Sequence, residues 1–171
     1  MSVTSIERAK LGYGLGKEEG EAFWLFGMLE TIKIGAEDTG GEYGVIEAVV
    51  RKGDGTPWHV HHEEDEWFYV LDGEFTIYVA DARLTLTPGS FAFGPKGVPH
   101  TFYVETGVAR MLVGFAPMQF EGFLREVGHP APARVLPPPL AGPPPDIARL
   151  APIAERGGFI ILGPPGPPPG R

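Results

Sequence analysis

Short apolar stretches recur between residues 43 and 115, and turn-forming residues separate them at intervals of about eight to twelve positions. The stretches are rich in β-branched and aromatic residues, whereas the breaks carry pairs such as Asp72-Gly73 and Pro88-Gly89. This pattern predicts an all-β domain, a sandwich or barrel of many short strands. The predicted strands are 43–51, 67–71, 75–80, 83–87, 91–93, 101–105 and 110–115, preceded by a strand-rich N-terminal arm at 23–34.

After residue 117 the pattern changes to the period of a helix. Phe120, Phe123, Leu124 and Val127 recur on one helical stripe, and Gly128 follows as a stop signal. We therefore expect one helix at 118–127 that closes a globular body at 1–129.

The C-terminal part differs in composition, because 14 of the 19 prolines lie at 130–171. This region is predicted to be a Pro-rich tail with polyproline II spacers at 137–139 and 143–145 and a frayed end. Asp146 as N-cap and Gly157 as stop predict a short helix at about 147–156, bent by Pro152. The apolar segment 159–162 is expected to dock on the body.

Charge and composition narrow the function. With 22 acidic and 14 basic residues the net charge is −8, so neither nucleic acid nor a membrane is expected as a partner. The chain has no cysteine, which excludes disulfides, iron–sulfur clusters and thiol catalysis; any transition metal must be held by nitrogen and oxygen. The N-terminal residues lack the apolar core of a signal peptide and no apolar run could span a bilayer, so a cytoplasmic location is expected.

One stretch concentrates residues that bind metals. His59 and His61 are two positions apart, so on a strand their side chains leave the same face. Glu66 follows after four residues, which is enough to turn the chain and begin an antiparallel partner strand. Much later, His100 opens another strand after a Pro- and Gly-rich turn. Three imidazoles and one carboxylate that converge inside a small barrel would form a site for a divalent first-row metal.

The other polar residues near this stretch are predicted to be solvated. Glu63, Glu64 and Asp65 are interpreted as an exposed acidic loop. His62 has the opposite strand parity and should face away from the cavity, and His129 should lie on the surface.

The joint pattern resembles that of the cupin superfamily. The first cupin motif, G(x)5HxH(x)3–4E(x)6G, is present as Gly53, His59, His61, Glu66 and Gly73. The second, G(x)5PxG(x)2H(x)3N, is present as Gly89, Pro95, Gly97 and His100, with Val104 where asparagine is usual. The resemblance, centred on residues 40–118, implies a small jelly-roll β-barrel in which His59, His61, Glu66 and His100 bind the metal.

A further resemblance is to single-domain quercetinase-like cupins. It rests on 29–42, the block HVHHEEDEWFYVLDGE, the segment PMQFEGFLRE and the closing LGPP. It implies a dioxygenase that cleaves a small planar enol of flavonol type with O2, and it gives Glu66 two roles, as metal ligand and as the base that takes the substrate's proton. Strand parity, counted from Glu66 and His100, predicts an apolar substrate pocket. Its residues would be Phe68, Val70, Phe102 and Val104.

Two other functions stay open at this stage. One is a metal-dependent lyase or isomerase, in which the metal only stabilises an enolate, and the other is a binding or sensor module without turnover. The ligand set does not distinguish Fe, Mn, Ni, Co, Cu and Zn. Because a small barrel with a strand-rich arm has edges that can pair, we also expect a homodimer.

Overall fold

Two antiparallel β-sheets and three helices make up the described part of the chain. The computed structural model describes residues 12–139 and 145–167. The strands are β1 (Glu21–Leu25), β2 (Met28–Ile34), β3 (Gly44–Arg51), β4 (Trp58–His61), β5 (Asp65–Asp72), β6 (Phe75–Val79), β7 (Ala82–Leu86), β8 (Phe91–Gly94), β9 (His100–Tyr103), β10 (Val108–Ala116), β11 (His129–Pro130) and β12 (Phe159–Gly163). The helices are α1 (Ala36–Thr39), α2 (Phe120–Val127) and α3 (Ile147–Arg156).

The strands form the two layers of a jelly roll, as the sequence predicts. The larger sheet has the order β11-β1-β2-β3-β10-β5-β8, and the smaller has the order β12-β4-β9-β6-β7. Each strand predicted in the body is present, with bounds that differ by a few residues.

Alternation along the strands places the core between the sheets. In β3, Gly44, Ile46, Ala48 and Val50 are buried while the residues between them are partly exposed. Since successive side chains of a strand point to opposite faces, this pattern buries one face of the sheet. The inner faces of both sheets thereby supply one continuous hydrophobic core.

The N-terminal arm folds onto its own chain. Strands β1 and β2 form a hairpin, and β2 pairs with β3 in the larger sheet. Strand β1 also pairs with β11, which directly follows α2. The arm therefore brings β2 residues, Glu30 among them, to the inner face of the barrel.

The C-terminal region adds a strand to the barrel. Helix α3 begins after Asp146, whose carboxylate accepts a hydrogen bond from the Ala148 N–H at 3.0 Å, and it contains Pro152. The segment predicted to dock forms β12, which pairs with β4 beside His59 and His61. Of the predicted proline spacer at 143–145 and the frayed end, residues 143–144 and 168–171 lie outside the described residues.

One predicted pairing is wrong. Strand β5, which carries Glu66, does not pair with β4: β4 lies between β12 and β9 in the smaller sheet, and β5 lies between β10 and β8 in the larger one. The short segment 62–64 carries the chain from one sheet to the other, so the two ligand-bearing strands face each other across the barrel.

Helix length also bears on membrane association. Within the described ranges, no helix is long and apolar enough to cross a membrane.

Candidate metal centre and its cavity

The four predicted ligands meet in the barrel interior. His59 and His61 lie on β4, and His100 opens β9, where it pairs directly with His59 in the sheet register. Glu66 approaches from β5 in the opposite sheet. All four side chains are buried, and one candidate ligand atom from each lies within 4.8 Å of the others.

The carboxylate of Glu66 is the centre of this cluster. Its Oε2 atom lies 2.7 Å from Nε2 of His100, 3.3 Å from Nε2 of His61 and 3.6 Å from Nε2 of His59. Three imidazoles therefore direct the same ring nitrogen towards one carboxylate oxygen.

The opposite ring nitrogens have partners that set the tautomer. Nδ1 of His59 lies 2.8 Å from the Pro57 carbonyl oxygen, and Nδ1 of His100 lies 2.9 Å from the Val98 carbonyl oxygen. A carbonyl only accepts hydrogen bonds, so each Nδ1 carries the hydrogen, and a neutral ring then has its lone pair on Nε2. His100 is thus oriented by its own loop, without the asparagine that is usual at position 104.

Burial and neighbouring charges shift the titration of the cluster. Burial, followed by the charge of His100, lowers the pKa of His59 to about 4, which leaves this ring neutral at neutral pH. Burial also lowers the pKa of His61, but its contacts with Glu64 and Glu66 outweigh that effect and raise the value to about 9. Burial raises the pKa of Glu66, but hydrogen bonding to His100, His59 and His61 holds it well below its usual range.

The arrangement fits a divalent cation. In the metal-free protein the protonated His61 ring supplies a positive charge beside the Glu66 carboxylate, and a divalent cation would take the place of that proton among the three Nε2 atoms. A metal bound at about 2.1 Å to nitrogen and oxygen keeps its neighbouring ligand atoms about 3.0–3.4 Å apart. The Nε2–Oε2 distances of 2.7–3.6 Å bracket that range. The buried cluster is thus compatible with a metal site of three histidines and one glutamate.

Glu64 behaves differently from the prediction. It is fully buried, and its Oε2 lies 2.6 Å from Nδ1 of His61. Its Oε1 accepts hydrogen bonds from the backbone N–H groups of Gln119 and Phe120, at 2.7 and 3.1 Å. The prediction that Glu64 is solvated is wrong, because the unsatisfied amides at the start of α2 and the ring of His61 hold this carboxylate inside.

The remaining polar neighbours are less buried. His62, Glu63 and His129 are exposed, in agreement with the prediction. Asp65 is partly buried and accepts a hydrogen bond from the Lys96 N–H at 2.9 Å. Of the acidic run before Glu66, Glu64 is therefore the residue that supports the cluster.

A narrow, largely apolar cavity opens onto the cluster. His59, His61 and Glu66 line one part of it, and the space open to the centres of water molecules is about 40 Å³. At about 10–15 Å³ for each water, this is room for roughly three waters, so a larger organic ligand enters only if side chains of the wall move. Six phenylalanines contribute to its walls: Phe26, Phe102, Phe115, Phe120, Phe123 and Phe159.

The structure places the four predicted pocket residues differently from one another. Phe102 lines this cavity. Phe68, Val70 and Val104 are buried and face inward, but they belong to the hydrophobic core and are not among the lining residues. The physical reason is that strand parity tells inward from outward, whereas it does not tell which end of the barrel stays open.

Several cavity residues were not predicted from the sequence. Phe120 on α2 stacks on Phe115 at 5.1 Å between ring centroids, and Phe159 on β12 packs edge-to-face on Phe123 at 4.9 Å. Glu30 on β2 also lines the cavity and is buried. The sequence contained one signal for Glu30, because an acidic residue inside an apolar strand is rare unless that residue is exposed or functional.

Comparison with known proteins agrees with this site. The cupin domain family matches residues 46–115, which contain all four candidate ligands. The chain is also 27% identical over 135 residues to a quercetin 2,3-dioxygenase from Bacillus subtilis; this similarity covers 79% of the chain but only 40% of that enzyme.

Solved structures bear out the fold. A predicted oxalate decarboxylase from Thermotoga maritima matches with a TM-score of 0.53 at 16% identity, over 59% of this chain and 94% of the other. A sugar phosphate isomerase of the cupin superfamily from Silicibacter pomeroyi matches with a TM-score of 0.52 at 21% identity, over 61% and 75%. Residues 46–115 of the chain thus match the cupin domain family, and the described part of the chain shares the fold of these solved structures.

Proposed function

We propose that this chain is a metal-dependent dioxygenase that cleaves a compact planar enol of flavonol type with O2. The observation that carries the proposal is the convergence of three Nε2 atoms and the Glu66 carboxylate beside a cavity walled by aromatic rings. The similarity to a quercetin 2,3-dioxygenase over most of the chain supports the oxygen-dependent reaction above other cupin reactions.

His59, His61, His100 and Glu66 would hold the metal in this proposal. A divalent cation at their centre would lower the pKa of a hydroxyl group that binds to it and would orient the substrate towards O2. Fe, Mn, Co, Ni, Cu and Zn all accept such a set of ligands.

The chain's own residues would divide the remaining tasks. The Glu66 carboxylate is ionised and contacts the ring nitrogens of the cluster, so it would take the proton that an enol releases on binding. Glu64 would keep the His61 ring in its orientation through Nδ1. Rings such as Phe120 and Phe159 would hold a flat substrate and keep bulk water out.

Oxygen uptake with metal analysis on the same samples tests the proposal. The protein is reconstituted separately with iron, manganese, cobalt or nickel, and each form is screened with quercetin and smaller enols in an oxygen electrode. We expect oxygen consumption with at least one pair. Product without oxygen uptake would point to a lyase or isomerase, and binding without any product to a non-catalytic cupin.

Glu66→Gln separates the two roles of this residue. The amide retains an oxygen ligand and removes the basic charge, so we expect metal content to fall partly while turnover falls by at least about 10²-fold, as for loss of a general base. His59→Ala and His100→Ala should instead lower metal content and activity together. Normal activity per bound metal in Glu66→Gln would refute the role as base.

A further inference from the structure

Glu30 is a buried acid without a partner. Its side chain is 5% exposed and lies on the cavity wall. In the described part of the chain, none of the side-chain hydrogen bonds or ion pairs involves its carboxyl group, in contrast to Glu64 and Glu66. Since the protein itself leaves this carboxyl group without a partner on the cavity wall, it is available to whatever molecule occupies the cavity.

The surroundings of Glu30 decide its protonation state. Among the described residues, the cavity wall carries the Glu66 carboxylate and the His61 ring but no Lys or Arg side chain. The charge of Glu66 is the one that acts on the titration of Glu30. An isolated carboxylate in such a place loses its charge by binding a proton. In the metal-free protein burial, together with the charge of Glu66, accordingly raises the pKa of Glu30 to about 8. A bound dication would offset the contribution of Glu66, whereas burial, the larger cause, would remain.

An uncharged carboxylic acid can donate one hydrogen bond and accept others. Outside the metal cluster, the other hydroxyl or charged side chain on the cavity wall is Thr56, whose Oγ1 already accepts a hydrogen bond from the Phe102 N–H at 3.2 Å. Thr56 keeps its hydroxyl hydrogen, but among the described residues Glu30 is the wall side chain outside the cluster whose polar atoms all lack a protein partner and can both donate and accept.

We propose that Glu30 acts as an uncharged carboxylic acid and forms a hydrogen bond with a hydroxyl or carbonyl group of the substrate. This group would lie at the end of the substrate that is remote from the metal. This rests on the proposed function, and it narrows the substrate to a compact planar hydroxy-ketone with a second polar group. The rest of the wall is aromatic or aliphatic and would contact the flat faces of that molecule.

Two small chelators test this assignment without turnover. Kojic acid, 5-hydroxy-2-hydroxymethyl-4-pyranone, and its 2-methyl analogue share the same metal-binding oxygens and differ by one remote hydroxyl. Their dissociation constants are measured by calorimetry, without oxygen, on the zinc- or nickel-loaded wild type and on Glu30→Gln, Glu30→Leu and Glu47→Gln. Glu47 lies on the neighbouring strand β3 and pairs outside the cavity with Lys33 at 3.6 Å, so it serves as the matched control.

We expect the wild type and Glu47→Gln to bind kojic acid about tenfold more tightly than the methyl analogue, as for one buried hydrogen bond. Glu30→Gln should keep most of this preference, since an amide also donates and accepts, and Glu30→Leu should abolish it. An unchanged preference in Glu30→Leu would overturn the inference. An equal loss in both Glu30 variants would also overturn it, because it would mean that the charge is needed.

A second measurement distinguishes substrate binding from a structural role. Glu30→Gln and Glu30→Leu should both raise the melting temperature of the metal-free protein, since each removes a buried acid that has no partner. A lower melting temperature in both variants would contradict the inference. If the loaded wild type binds neither chelator, the proposed substrate class is wrong; if it binds them but never consumes oxygen with any enol, only the dioxygenase assignment is wrong.

Discussion

Replacement of Glu64 should weaken metal binding and the fold together. The carboxylate joins two parts of the site that are distant in sequence: it contacts Nδ1 of His61 at 2.6 Å and accepts hydrogen bonds from the backbone at the start of α2. Glu64→Ala removes these three contacts, leaving the buried ring of His61 and the partly buried N–H groups of Gln119 and Phe120 without this partner.

The size of the effect follows from those contacts. Loss of one member of a buried charged pair typically destabilises a protein by about 3–5 kcal/mol, and a lost helix N-cap alone accounts for about 1 kcal/mol of such a change. For a chain of this length we expect the melting temperature to fall by about 10 °C. Loss of the group that orients a metal-binding histidine typically lowers metal affinity by about 10–100-fold.

Glu64→Gln should divide these effects. Its amide oxygen can still accept from the N–H groups of Gln119 and Phe120, but its NH2 group then faces Nδ1–H of His61, a donor against a donor. We therefore expect Glu64→Gln to retain more of the stability than of the metal affinity. Glu63→Ala is the control, since Glu63 is exposed and adjacent, and its substitution should change stability by less than about 0.5 kcal/mol.

Thermal unfolding of the metal-free proteins and competition of the loaded proteins with a chromophoric chelator give the two quantities separately. Wild-type metal affinity in a folded Glu64→Ala protein would refute the reasoning, because it would mean that His61 is oriented without this carboxylate. Equal losses for Glu63→Ala and Glu64→Ala would refute it as well, since they would indicate a general effect of charge in the loop.

Three other expectations concern the tail, pH and assembly. Phe159→Ala should lower stability by about 3 kcal/mol or more by opening a cavity beside the cluster, whereas Leu162→Ala, at an exposed position of the same strand, should be nearly neutral in urea unfolding. In the metal-free protein the pKa of Glu30 is raised from its ordinary 4.5 to about 8, so between these pH values the folded chain retains a proton that the unfolded chain releases. The stability of the wild type should therefore fall as the pH rises from 4.5 to 8, and it should fall less in Glu30→Gln. His59, His61 and Glu66 on the same cavity titrate in both proteins, so the difference between the two reports on Glu30. The predicted homodimer should give a light-scattering mass near twice 18.4 kDa. Phe91 and Phe93 are 58% and 51% exposed on the edge strand β8. Replacement of both by Ser should reduce the mass to that of one chain.

The sequence was sufficient to predict that four side chains would converge, because much of the geometry of this cluster is local. The spacing of His59 and His61 determines that both rings leave one face of β4. The resemblance to the cupin motifs added His100 to the set, and the register pair between His59 and His100 brings the two rings together. The strand pairing of Glu66 was predicted incorrectly, yet the residue still reaches the cluster, because a ligand may come from either inner face of the barrel.

The support of the cluster could not be predicted in the same way, because its contacts are not local. Glu64 was expected in solvent because acidic runs usually are exposed, and its partners on α2 lie 55 and 56 residues away. Nor could composition show that 159–163 would become a strand, since β12 is defined by its pairing with β4 rather than by its flanking prolines.

The residues of the ligand cluster and the residues of the cavity wall determine different aspects of function. The cupin-domain match at 46–115 includes every candidate ligand, but Glu30, Phe120 and Phe159 on the cavity wall lie outside it. Similarity to a known protein within the matched segment therefore says more about which residues bind the metal than about which substrate binds. The reason is that β2, α2 and β12, which lie outside the segment, shape the space where the substrate would bind. It follows that substitution of wall residues should change which enol binds while metal affinity stays the same, whereas substitution of Glu64 should lower metal affinity.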